Sequence, residues 1–575
     1  MKHQATRPLR AFATVLLAAS SLVASAAEGP AATTHKHYAE SPAAAQPGPK
    51  GELAPRLLKL GDHVFPVSTQ QAEAQTFINQ GLNLAYAFNH AESRRAFSEA
   101  ARLDPSLAMA YWGQALVLGP NINALMAPNE EPHAFEMVSK AQSLAKHASP
   151  RERALIEALA KRYSGTADHR KANDRAYAAA MREVHKRYPE DLDIATLYIE
   201  SVMDLRPWGY WMPDGQAQEG IAEIEALTEA VLRRNPRHPG ALHLQIHLLE
   251  STPTPERAER SADTLLHLMP GAGHMVHMPS HIYQRVGRYA DAIESNRLAI
   301  EADEDYITQC RAQGLYPMAY YPHNIHFMWF AAMYDGQQAL AEEAGRKVAS
   351  KIDDATLAAM PMLAAFRVVP YWTMLRFGLW EAMLKEPAPP ATSAFLTGAW
   401  HYARGQAFVA TGRLEQAKAE LATLREVMKN PSLDNNLFSQ NSARSILNVS
   451  VPSLVGAIAA AEGRHDEAIS QLEMAVRIED GLIYTEPSEW AYPPRHALGA
   501  ELLAAGRPAE AETVFWQDLR KNRHNGWALS GLLQALRVQQ KDAQAATVEA
   551  RLKQAWARSS VKLTGAEANP KVAAN

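Results

Sequence analysis

Small and bulky residues recur in this chain in the register of a helix–turn–helix unit of about 34 residues, the first copy closed by a proline, and that register leaves few folds open. The clearest copy is "QGLNLAYAFNHAESRRAFSEAARLDP", with Gly81, Phe97, Ala100 and Pro105 in register. The same frame takes Gly405, Gly412, Ala417, Leu421 and Leu424, then Gly456, Gly463, Ala468, Leu472 and Ala475, then Gly499, Gly506, Ala511 and Phe515. Small residues let two helices approach closely, a bulky one fills the gap between them, and the proline ends the second helix. One such hairpin cannot bury its apolar face alone, so neighbours must stack on it. The period therefore predicts an all-α chain. It also explains how 575 residues, too many for one compact core, bury their apolar surface.

These copies resemble the tetratricopeptide repeat (TPR), in which positions 8, 20, 24, 27 and 32 carry these small, bulky and proline residues. The resemblance implies a TPR-type α-solenoid superhelix of stacked helix–turn–helix units over most of residues 74 to 555. Two aromatic, proline-bearing insertions interrupt it, "DLRPWGYWMPDGQAQ" (204 to 218) and "ITQCRAQGLYPMAYY" (307 to 321), which either cap a groove or seal an irregular joint. The expected organisation is a signal peptide at 1–26, a flexible leader at 27–60 and an N-terminal array at 61–385. A Pro-rich hinge at 386–393, a C-terminal array at 394–558 and a disordered tail at 559–575 follow. Beyond the generic repeat, "HMPSHIYQRVGRYADAI", "YYPHNIHFMW" and "NGWALSGLLQAL" resemble a family of exported bacterial TPR proteins. That resemblance implies the fold and no particular reaction.

At the N-terminus, Lys2, Arg7 and Arg10 precede an apolar run from Ala11 to Val23, and Ala24-Ser25-Ala26 supplies small residues for cleavage. The run is too short for a stable membrane span, so the expectation is a periplasmic or secreted protein with no membrane anchor after cleavage. Losing those three cations takes the formal charge from −4 to −7, which gives no electrostatic case for nucleic acid. The one cysteine, Cys310, excludes an internal disulfide and a Cys-based zinc cluster. No phosphate loop, nucleophile elbow or dinucleotide fingerprint is present.

Histidine carries the chemistry. Pro236 and Pro270 set repeats beginning at Pro239 and Gly273, and Gly336 with Ala341 sets another at Pro322. In TPR units, positions 2, 5, 9, 12 and 13 of the first helix face a concave groove. His243, His247 and Glu250 then fall at 5, 9 and 12, His274, His277 and His281 at 2, 5 and 9, and His323 and His326 at 2 and 5. Seven of the eight histidines from 243 to 326 thus share one face, where the chain-wide frequency predicts about three in the whole window. Glu200 and Asp204 extend the set from the preceding unit, and His267 is an ordinary surface residue. Pro279, inside the groove helix, either distorts the first turn carrying His274 and His277 or moves the helix start beyond them.

Seven imidazoles on one wall cannot all be charged, and neutral buried rings need hydrogen-bond partners. A divalent cation answers both requirements. Nitrogen and oxygen donors suit Zn²⁺, Cu²⁺, Fe²⁺ or Mn²⁺ rather than Ca²⁺. Met275 and Met278 fall off the face and read as packing residues. "HLQIH" lacks the glutamate of a zincin helix, which argues against that kind of proteolysis. The alternative is a metal-free scaffold holding a peptide or protein partner in its groove. Asn121, Asn123, Tyr320, Tyr321 and His496 are weaker groove candidates, and Asn89 and His90 read as turn residues.

Overall fold

The computed structural model describes Gly48 and residues 51–212, 214–310, 316–435, 437–438 and 440–563. The signal peptide, the leader as far as residue 47, part of each insertion and the last residues of the tail lie outside the described residues. Helix follows helix in pairs. The only strands among the described residues are Leu437–Phe438 and Asn441–Ser442, paired antiparallel.

The hairpins are built as their small residues require. Ala72–Tyr86 packs on His90–Leu103, and a Cβ added at Gly81 would lie 2.7 Å from Cε1 of Phe97. Gly113 of the next helix, Ala108–Leu118, closes on the other side of the same ring. Phe515 sits likewise between Gly499 and Gly531, and Leu472 fills the notch at Gly456. In these three pairs the bulky residue at position 24 is the wedge around which the helices close, whereas at Gly405 the wedge is Leu454 of a later helix. The all-α, TPR-type architecture is as expected.

The chain forms two compact units. The first comprises the described residues up to Ile282 together with Leu298–Tyr321, and the second comprises Tyr283–Arg297 and the chain from Pro322 onward. In the first unit, Leu53 N donates to Glu99 Oε2 (2.7 Å), Leu57 N to Gln80 Oε1 (2.9 Å) and Gly271 N to Lys59 O (2.8 Å). Residues 53 to 60, read as the end of a flexible leader, are thus fastened to the helices. In the second unit, residues 386–393 join two helices that touch, Trp380–Lys385 and Ala394–Ala410. Ser560 N donates to Gly336 O (3.1 Å) and Val561 is buried, so the first residues of the expected tail are docked.

Candidate metal centre

His238 accepts from Ala241 N and caps the helix Pro239–Leu249, which has proline at its first turn, where the missing N–H costs nothing. His243 and His247, four apart, share one face of that helix. Glu250 follows at its C-terminal end. The next repeat opens as a single short helix, Gly273–His277, and restarts as Pro279–Val286. Pro279 thus breaks the helix at Met278 and leaves His274 and His277 on a distorted first turn, one of the two arrangements expected. Met275 and Met278 are fully buried packing residues, as expected.

Five imidazoles and one carboxylate from these elements converge in the first unit. His243, His247, His274, His277, His281 and Glu250 are all within 2% of full burial, so the positions read as an open groove wall are interior. Glu250 Oε1 accepts from His247 Nδ1 and Oε2 from His281 Nδ1, each at 2.8 Å. Counted beforehand as a ligand, Glu250 has both oxygens accepting from rings, and its carboxylate also lies within 4.8 Å of ligand atoms of His247 and His281. His243 Nδ1 donates to the Tyr86 carbonyl oxygen (2.6 Å). With their protons committed at Nδ1, His243 and His247 turn lone pairs toward each other, Nε2 to Nε2 at 3.1 Å. His281 Nε2 meets His277 Nε2 at 2.7 Å. Neither ring nitrogen of His274 has a hydrogen-bond partner, and its ligand atom lies within 4.8 Å of those of His243 and His247.

A proton shared between His243 and His247 would satisfy that pair only by creating a buried imidazolium. Burial lowers the pKa of His247, outweighing the opposing pull of Glu250. Burial holds His243 and His274 far below the ordinary imidazole range, and the neighbouring rings push the same way. The three rings are therefore neutral, and each unsatisfied buried nitrogen costs about 1–3 kcal/mol. Two tetrahedral Zn–N bonds place their nitrogens about 3.3 Å apart, close to the spacing seen.

Aromatic residues in strained conformations wall the cluster. Phe88 has φ of +55° and its ring lies 4.4 Å from His243 and 5.6 Å from His274, centroid to centroid. Trp208, at φ +65°, stands edge-on to His247 at 5.1 Å. Six other hairpins place glycine at the turn position of Phe88 (Gly287, Gly336, Gly378, Gly412, Gly463 and Gly506), all with positive φ. A left-handed non-glycine residue costs about 1–2 kcal/mol, whereas deleting a buried phenylalanine costs about 3–5. Phe88→Gly should therefore lower stability by about 2–3 kcal/mol in urea melts despite the relieved backbone. A more stable variant would show that the ring contributes nothing to the wall. The π-helical turn Tyr316–Tyr320 completes the enclosure: Tyr316 Oη accepts from His274 N (3.0 Å) and donates to Asp303 Oδ1 (2.9 Å), and the Tyr320 ring stands edge-on to His274.

Glu200 and Asp204, expected to extend the set, line a separate small cavity with His90 and Tyr177. Asp204 Oδ2 accepts from Arg162 Nη2 (2.6 Å). His323 and His326 belong to the second unit. His323 stands edge-on to Phe327, and His326 stacks parallel on Trp329 at 5.1 Å, where burial pushes it down to about 3. His267 is exposed. Asn89 caps the helix His90–Leu103. His496, one of the weaker groove candidates, is 4% exposed and bonds Arg376 Nη1 through Nδ1 and Asp518 Oδ2 through Nε2, both at 3.0 Å.

A second histidine group escaped the sequence. Asp193 Oδ1 lies 2.8 Å from His63 Nε2, 2.8 Å from Tyr86 Oη and 3.2 Å from His238 Nε2, beside a cleft of about 450 Å³. Because His238 Nδ1 accepts the helix N–H, its proton must sit on Nε2, so this nitrogen donates and cannot ligate an ion. Burial raises the Asp193 pKa, but the donors from His238 and His63 overcome it and hold the carboxyl far below its usual range. This trio is an anion clamp. Only His238, directly ahead of a helix-opening proline, carried any signal of a special role.

No protein-family model and no curated protein matches the chain. Solved structures similar to it include the human IFIT1 dimer with m7Gppp-AAAA, at 12% identity and a TM-score of 0.32, covering 85% of this chain and 91% of that one. The APC/C hetero-tetramer Cut9–Hcn1 gives 12% and 0.28, covering 85% and 74%, and yeast Tom70 gives 13% and 0.25, covering 84% and 91%.

Proposed function

We propose that this chain is an exported bacterial metal-binding protein whose first unit holds one divalent transition-metal ion through His243, His247 and His274. The observation that carries this reading is a set of unsatisfied buried imidazoles: Nε2 of His243 and Nε2 of His247 face each other with no proton between them, and neither ring nitrogen of His274 has a hydrogen-bond partner. Glu250 and the Tyr86 carbonyl hold the Nδ1 protons, which fixes the tautomer and raises ligand basicity. Imidazole donors suit Zn²⁺, Cu²⁺ or Fe²⁺ better than Mn²⁺, which prefers oxygen. An ion there would act as a Lewis acid or a cross-link between two repeats. The protein itself supplies the burial, the ring orientation and the aromatic enclosure. Export follows from the N-terminal cations, apolar run and Ala-Ser-Ala.

Elemental analysis of the full chain purified from its native envelope tests this. About one ion per chain is expected, lost in His247→Gln plus His274→Gln. Adding metal at about 100 times Kd should stabilise the stripped wild type by roughly 2.7 kcal/mol and leave the double variant unchanged. Wild-type protein that carries no metal, and whose melting ignores Zn²⁺, Cu²⁺ and Fe²⁺, would overturn the proposal and leave a scaffold for peptide or protein partners.

A further inference from the structure

The second unit contains a cavity of about 350 Å³. Gln284, Tyr289, Phe330, Ile483, Tyr484 and Glu489 are among its lining residues. Most charges around it are already answered. Lys521 Nζ lies 3.2 Å from Glu479 Oε1, Arg495 Nη1 donates to Asp480 Oδ1 (2.8 Å), and the Arg285 guanidinium lies over the Tyr484 ring. Glu489 has no ion pair among the described residues. Its Oε2 accepts from Asn441 Nδ2 (2.8 Å), and that amide is fixed in turn by Ile483, donating to its carbonyl and accepting from its N–H, each at 2.9 Å. Gln284 is 8% exposed, and its Oε1 has no hydrogen-bond partner.

One acceptor without a donor, Gln284 Oε1, and one carboxyl without an ion pair line the same cavity beside aromatic rings, and together they call for a cationic group with several N–H bonds. We propose that this cavity binds a small primary amine, its ammonium hydrogens shared between the Glu489 carboxylate and Gln284 Oε1, its apolar body against Phe330 and Tyr289. Burial pushes the Glu489 carboxyl up to about 8, with the Asn441 bond opposing, so at pH 7 the empty cavity holds it mostly protonated. His326, which lines a smaller cavity with Glu489, is kept neutral by burial and supplies no cation. An arriving ammonium replaces the carboxyl proton, which leaves to solvent.

Titration calorimetry of the full chain with phenethylamine at pH 7, in phosphate and in Tris, tests this. One site is expected, with release of about 0.9 proton per amine, and 2-phenylethanol should not bind. Glu489→Gln mimics the protonated acid, so it should melt like the wild type, bind at least about tenfold more weakly and release no proton. Gln284→Leu should weaken binding several-fold. No heat at about 10 mM amine, equal binding of the alcohol, absence of proton release in the wild type, or undiminished binding by Glu489→Gln would each overturn the proposal. None of these readouts depends on metal at the histidine cluster.

Discussion

A Glu250→Gln chain is expected to lose about 1–3 kcal/mol of stability and to bind the proposed metal about 10–100-fold more weakly. The size follows from the two roles of one carboxylate. Each oxygen accepts an Nδ1 proton from a different histidine, and no part of the group reaches water. A glutamine amide offers one oxygen and one NH2. Whichever way it turns, a donor faces the Nδ1–H of His247 or of His281. That ring must then move its proton to Nε2, and a protonated Nε2 cannot ligate an ion. If the amide displaces His247, the centre loses a ligand directly. If it displaces His281, the new proton lands between His281 and His277, whose Nε2 atoms are 2.7 Å apart. Denaturant melts of stripped and metal-loaded chains separate the two contributions. A Glu250→Gln chain with full metal content and wild-type stability would mean that Glu250 does not fix the tautomers.

The helical architecture was legible because each hairpin needs a small residue opposite a wedge, and that need is local: Gly81 with Phe97, Gly499 with Phe515. The same frame put His243, His247, His274, His277 and His281 on corresponding faces, and they do meet. Three things were not legible. A frame gives the direction of a side chain but not what covers it, so interior positions read as a groove wall. The tautomers depend on Tyr86, 157 residues from His243, and on Glu250 bridging two repeats. The clamp on Asp193 joins His63, from a segment without regular structure, to residues 130 positions away. Phe88 was visible as a departure from the turn glycine, but its meaning required knowing which rings lie beneath it. His326 shows the converse: a position on the expected face occupied by a ring that stacks on Trp329.

Glu200→Gln should stabilise the protein at pH 8 and leave it nearly unchanged at pH 4, the reverse of the usual cost of removing a carboxylate. Glu200 and Asp204 are four apart at the C-terminal end of the helix Leu192–Met203, and they share a small cavity with Arg162. The one guanidinium is committed to Asp204 (2.6 Å) and Asp174 (3.1 Å). Glu200 has no ion pair among the described residues. Burial raises its pKa, and the Asp204 charge raises it further. The sign follows directly. A carboxyl whose folded pKa exceeds the unfolded value of about 4.3 favours folding below that value. That advantage is lost as pH rises through the folded pKa. Glutamine is neutral throughout, so it matches the protonated acid at pH 4 and avoids a charge in the cavity at pH 8. Each unit of elevation is worth about 1.4 kcal/mol, so the gain at pH 8 should be on the order of 2–4 kcal/mol. Histidines with lowered pKa destabilise both chains alike in acid and cancel in the comparison. Urea melts of the two chains at both pH values measure it. A variant less stable at pH 8, or a difference independent of pH, would mean that Glu200 is ionised in the fold and that some other group balances its charge.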